Sequence, residues 1–296
     1  MLASMTRSIE RQLCAVALVC VSLLVQRGAL AQSAVLTAVI GIDHIPLVVK
    51  NLDLAAQDYS RFGFALKPGR FHGNGIRNAH VKFPDGSGIE LITASKTSDV
   101  LTAHYMELLD RGEGPAYLGF HARNTDRLLS ALAAGGISYS REDGFVELSD
   151  PRLNFIFIGR DNRSSTDRPA HFAHANSAIA MTAIWIATND TAALSWLMTS
   201  LGSVARQERV FVPEPTTATV FPVENGRVIL LPEAHQVIKG RSVVGASFRV
   251  ADLDALTNVL AAANISPIVV REEGRRREIL VPPQATHGIW LAFSEQ

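Results

Sequence analysis

One pattern, repeated four times, constrains this chain more than any other feature. An apolar run suited to a strand ends in one or two polar residues, and a short Ala/Leu-rich helical stretch follows. The copies read IDHIPLVVKNLDLAAQDYSRFGF, AYLGFHARNTDRLLSALAAGGI, MTAIWIATNDTAALSWLMTSLG and VVGASFRVADLDALTNVLAAANI. Their helix-start aspartates are Asp53, Asp126, Asp190 and Asp254, separated by 73, 64 and 64 residues. Self-similarity at such a period marks stacked supersecondary units, each too small to bury its own apolar face. Four units imply two pairs.

Each unit continues beyond its helix. In the first, Asn51 or Asp53 suits the helix N-cap and Gly63 the C-terminal cap. Strand-like runs follow at 64–67, 78–83 and 89–93, the last two joined by the turn PDGSG. The unit is therefore βαβββ. The third and fourth repeat that order, and the second keeps it with a faint first hairpin strand. A helix-like insert over 98–110 connects units one and two. The polar stretch 160–177, rich in Ser, Asn and His, reads as a linker. This predicts an α+β protein with an N-terminal domain over 42–160, a linker at 161–178 and a C-terminal domain over 179–296.

Composition narrows the function classes. A chain of 296 residues that is 47% hydrophobic and 19% charged is globular. Equal numbers of basic and acidic side chains, 28 of each, argue against a nucleic-acid partner. At the N-terminus, Arg7 and Arg11 precede an apolar run from Leu13 to Val25, and Ala29-Leu30-Ala31 follows. That is the layout of a secretory signal cleaved after Ala31, which predicts a periplasmic or secreted protein with no stable membrane span. Both cysteines, Cys14 and Cys20, lie in this segment. A metal site in the mature chain must then use His, Asp, Glu or Tyr.

Paired βαβββ units, with DHI on the first strand and IELI on the fourth, resemble the vicinal oxygen chelate superfamily, which includes glyoxalase I, extradiol dioxygenases and drug-resistance proteins. Residues 42–95 look like its glyoxalase-like domains, whose H-x-x-G-T-x-N segment is matched by His72-Gly73-Asn74-Gly75-Ile76-Arg77-Asn78, with Ile76 in place of Thr. The resemblance implies that each pair of units bends into a cup, a glyoxalase-like open barrel with helices outside.

Strand alternation then selects the inward side chains. With Ile45, Leu47 and Val49 toward the helices, His44 faces the cup; Glu90 does so between Ile89 and Leu91, and Asn78, His80 and Lys82 do so on the third strand. His44 and Glu90 match the superfamily's metal-ligand positions, and such a donor set suits Zn, Fe, Mn or Ni. Alignment on Asp126 puts Tyr117 where a further His would stand. His121, four residues on, is the other candidate ligand, and the fourth strand of unit two has no carboxylate. Arg77, Asn78, His72 and Tyr117 are candidate substrate-binding residues, and Glu90 a candidate proton carrier. In the C-terminal pair the ligand positions read Met181, Gly245, Ile229 and Ala292, so that half has lost the site and serves as structure, lid or dimer surface.

The resemblance implies a metal-dependent lyase or isomerase acting on a small oxygen-rich molecule. Dioxygenation is less favoured because its His-His-Glu set is not visible. The alternative is a metal-free binding or sequestering protein.

Overall fold

The structure, a computed structural model, describes residues 37–295 except 71, 143, 161 and 271–276. The expected signal segment and both cysteines lie outside the described residues. Among the described residues no helix is long and apolar enough to cross a membrane.

Unit one comprises β1 (Gly41–Ile42), β2 (His44–Val48), α1 (Leu52–Arg61), β3 (Lys67–Pro68), β4 (Ile76–Lys82) and β5 (Gly88–Ala94). The connecting helix α2 spans Val100–Arg111. Unit two comprises β6 (Gly114–Pro115), β7 (Leu118–His121), α3 (Thr125–Ala134), β8 (Tyr139–Glu142), β9 (Phe145–Leu148) and β10 (Ile156–Gly159). Unit three runs β11 (Ala178–Thr188), α4 (Thr191–Ser200), β12 (Arg206–Phe211), β13 (Pro215–Val223) and β14 (Gly226–Pro232). Unit four runs β15 (Val243–Val250), α5 (Leu253–Ala262), β16 (Ile268–Val270), β17 (Glu278–Val281) and β18 (Trp290–Glu295).

Units three and four form one sheet ordered β12-β13-β14-β11-β15-β18-β17-β16, joined through the antiparallel first strands β11 and β15. Units one and two repeat this order in two sheets, β3-β4-β5-β2-β6 and β1-β7-β10-β9-β8. The division is local. Leu47 faces Pro115 across β2–β6, Ile42 faces Phe120 across β1–β7, and both pairs keep one register. Between them only the Asp43 N–H to Gly119 carbonyl and Ala116 N–H to Pro46 carbonyl bonds remain, each 2.8 Å. Pro46 has no N–H to donate, which interrupts the ladder there. The four units thus pair into two open barrels.

The helices start at equivalent caps. Asn51, Asn124, Asp190 and Asp252 each accept a backbone N–H of the first turn. Asp53, Asp126 and Asp254 lie two residues further in, where they favour the positive helix end. Asp190 is itself the cap. Alignment on the aspartates therefore misplaces the third unit by two residues, and Ala183, not Met181, stands at the position of His44.

One apolar core runs through all four units, from Ile42 and Leu47 to Phe248 and Phe293. Stretch 160–177 packs against unit one. Asp167 accepts Lys82 Nζ at 2.7 and 2.9 Å and also binds Lys67, while His174 sits between the rings of Phe64 and Phe83. A separate apolar cluster closes one end of the first cup. There Tyr105, Leu108 and Leu109 of α2 pack on Val48, Ile76, Ile92 and Ala94.

Candidate active site

The first cup holds its polar residues on three adjacent strands. Ile45 and Leu47 are fully buried in the helix-side core, which turns His44 to the other face. Parallel pairing of β2 with β5 sets Glu90 beside Pro46, one pleat from His44, and antiparallel pairing of β4 sets His80 opposite Glu90. His44 Nε2 lies 3.3 Å from Glu90 Oε2. Its Nδ1 lies 2.9 Å from Asp43 Oδ2. Asn78 Nδ2 donates to Glu90 Oε1 at 2.6 Å, completing a chain of four side chains. Phe157 from β10 meets the His44 ring edge-on at 5.3 Å. Gly119 makes room for it, since a Cβ there would lie 2.6 Å from the Phe157 ring.

Burial opposes charge on His44, but Asp43 and then Glu90 outweigh it and raise the imidazole from 6.5 to about 10. Burial likewise opposes ionisation of Glu90, yet its hydrogen bond to His44 leads the opposing effects and lowers it to about 2. Burial lowers His80 to about 4, so it is neutral at pH 7 beside the charged pair. Burial, then Glu90, pushes Tyr105 well up; burial, then Glu147, takes Tyr117 to about 12. At neutral pH His44 is therefore protonated and Glu90 ionised. Asp43 Oδ1 is buried with no hydrogen-bond partner among the described residues. The surplus is of acceptors, which favours a cation.

The other sequence candidates are placed as follows. Asn78 serves Glu90 and also accepts the Arg70 N–H at 3.1 Å, which ties it to the loop. Arg77 projects from the opposite face of β4 and pairs with Asp53 on α1 at 2.9 Å, away from His44 and Glu90. The strand begins at Ile76, and its pleat puts Arg77 on the face opposite Asn78 and His80. His72 is half-buried, with Nε2 unpartnered among the described residues. Tyr117 packs on His104 and Tyr105 of α2, with ring centres at 5.5 and 6.1 Å. His121 lies opposite Gly41, three residues along the ladder from His44. Asp43 behind His44 and Phe157 beside it were missed from the sequence. The only signal for Asp43 was its place before the histidine.

A divalent cation would be held by Glu90 Oε2 and by His44 Nε2, the latter once it has released its proton to the entering ion. Asp43 fixes the second imidazole nitrogen, the arrangement that orients metal-ligating histidines elsewhere. Nitrogen and oxygen donors without sulfur suit Zn, Mn, Fe or Ni. Among the described residues no group of three or more His, Cys, Asp or Glu side chains is gathered closely enough to hold an ion. The protein set therefore fits as a partial one, with the remaining positions left to water or to oxygens of a bound molecule.

Equivalent positions in the other units are closed. Unit two has Tyr117 for His44 and Phe157 for Glu90, the latter opposite Gly119 as Glu90 is opposite Pro46. The second cup has Ala183, Ile229, Gly245 and Ala292, and Trp185 lies across Gly245, where a Cβ would sit 2.4 Å from its ring. Trp185 Nε1 is satisfied by Ser247 at 2.9 Å.

No curated protein matches the chain. Solved structures share its fold at low identity. A 4-hydroxymandelate synthase variant from Streptomyces coelicolor has a TM-score of 0.62 at 11% identity, covering 88% of this chain and 92% of that one. Catechol 2,3-dioxygenase gives 0.60 at 16%, covering 88% of each. A homoprotocatechuate 2,3-dioxygenase variant from B. fuscum gives 0.61 at 13%, covering 89% and 73%. The chain spans about half, 49%, of a xylose isomerase-like TIM barrel/4-hydroxyphenylpyruvate dioxygenase fusion protein, with a TM-score of 0.64 at 10% identity. At these identities the likeness concerns fold alone. The profile of the glyoxalase-like domain matches residues 42–202, more than half of the chain. With its paired βαβββ units, the chain belongs to the glyoxalase-like domain family of the vicinal oxygen chelate superfamily.

Proposed function

We propose that the first cup is the working site and that it acts on a small oxygen-rich molecule with a divalent cation held by His44 and Glu90. The observation that carries this reading is the part-buried His44–Glu90 contact, backed by Asp43 and Asn78, in one cup of two. A cation bound there supplies Lewis-acid polarisation of the ligand's oxygens. Asp43 holds the imidazole in orientation, and Asn78 fixes the Glu90 carboxylate. His80, neutral and on the same face, accepts a proton and returns it; Phe157, Tyr105 and Tyr117 limit water. Lyase or isomerase chemistry, which needs proton movement beside a polarised carbonyl, suits this set. Export to the periplasm or medium, with a mature N-terminus at Gln32, belongs to the same proposal. Mass spectrometry of the exported protein checks it.

The test is calorimetric titration of chelator-stripped protein with Zn(II), Mn(II), Ni(II) and anaerobic Fe(II). One of these should bind once per chain, and His44→Ala and Glu90→Gln should each weaken it by at least tenfold, about 1.4 kcal/mol. Absence of binding, or equal binding by the variants, would contradict the reading. The metal-free binding alternative, consistent with the partial donor set, would then stand.

A further inference from the structure

The charged array of the first cup lies on unit one, and the sheet of unit two completes that cup with a different surface. Ile156 and Ile158 of β10 and Val146 and Leu148 of β9 are buried in the helix-side core. Strand alternation therefore turns Phe157 and Phe145 to the cup. Phe157 meets the His44 ring edge-on at 5.3 Å, and Phe145 meets Phe157 edge-on at 5.7 Å. The three rings make one run that leads from the His44–Glu90 contact to solvent. Exposure rises along it: Phe157 is half-buried, and Phe145 is 41% exposed.

Two glycines make room for the run. A Cβ at Gly119 would lie 2.6 Å from the Phe157 ring, and a Cβ at Gly159 would lie 2.7 Å from the Phe145 ring. Glycine weakens a strand, and in a strand it marks a place where another group must come close to the backbone. Phe157 also holds in unit two the place that Glu90 holds in unit one. The cup is thus two-sided, with nitrogen and oxygen donors on one half and a shelf of aromatic carbon on the other. Phe145 leaves apolar surface in water beside the site, and the flat ring of a ligand is the shape that covers it with offset or edge contacts.

We infer that Phe157 and Phe145 are specificity-determining residues, and that the ligand of this cup joins its vicinal oxygens to a flat aromatic or conjugated body lying along these two rings. The inference rests on the first cup being the ligand site and deepens that reading by naming the body of the substrate. It does not need the cation.

The experiment uses the full chain loaded with the divalent ion that binds it in the titration above. Acetohydroxamate and benzohydroxamate, which present the same two oxygens on a methyl and a phenyl body, are titrated calorimetrically. Benzohydroxamate should bind about tenfold more tightly. Phe145→Ser, a change at an exposed position, should narrow that ratio about threefold or more by weakening the phenyl compound. Crystals soaked with benzohydroxamate should show its ring against Phe157 and Phe145, a result that does not depend on the variant folding. Equal affinities, binding of neither probe, an unchanged ratio in the variant or a ring seated elsewhere would each overturn the inference. If no ion binds, the cation reading fails by itself, and the same two probes are compared on the metal-free protein. A phenyl preference that Phe145→Ser reduces there upholds the inference, and its absence overturns it.

Discussion

At the scale of single residues, the first cup depends on a histidine held between two carboxylates. The linkage has two parts. His44 is raised from 6.5 to about 10, so its stabilisation is complete below pH 6.5 and is lost as pH rises through about 10. Glu90 is lowered from 4.5 to about 2, so its share is complete above pH 4.5 and is lost as pH falls through about 2. Both are fully present between pH 4.5 and 6.5. Glu90→Gln removes one of the two carboxylates while keeping the shape. The His44 midpoint, followed by imidazole NMR in metal-free protein, should therefore fall; an unchanged midpoint would show that Asp43 alone holds the proton. Asp43→Asn should lower it as well.

At the scale of elements, α2 and Trp185 decide which cup is open. Leu109 of α2 is 7% exposed and caps the apolar end of the first cup. Leu109→Ala should cost about 2–4 kcal/mol in urea unfolding. In the second cup Gly245 lies under Trp185, and Gly245→Ala should destabilise by about 1–3 kcal/mol because the ring must move. The sequence made the repeat, strand order and inward parity of β2, β4 and β5 legible, since alternation of apolar residues is local information. It did not reveal α2 as a cup-filling element, because Tyr105, Leu108 and Leu109 show only that one helix face is apolar, not what that face meets. The two-residue slip at Asp190 arose likewise: cap and first-turn acid look alike in a string. The direction of Arg77 was not legible either, because it depends on where β4 starts, at Ile76.

At the scale of the whole molecule, two barrels share one strand plan. One carries a charged array, and the other has alanine, isoleucine and glycine at the matching positions, with Trp185 across Gly245. The stretch 160–177, read from its polarity as a linker, is bound to the first unit by a buried ion cluster that polarity alone could not disclose. Lys82 is 3% exposed and Asp167 10%. Asp167→Asn leaves the buried Lys82 ammonium and the half-buried Lys67 ammonium without their carboxylate and should cost about 3 kcal/mol, measured by thermal or urea unfolding. A cost near zero would mean that the segment is held by His174 and Asn176 alone.

The measurement that bears most directly on the assignment of the first cup is anomalous diffraction from crystals of the protein equilibrated with Mn(II). The account predicts a peak within bonding distance of both His44 Nε2 and the Glu90 carboxylate, absent from Glu90→Gln crystals prepared alike. A peak confined to other parts of the molecule, or none at occupancy-saturating Mn(II), would contradict it.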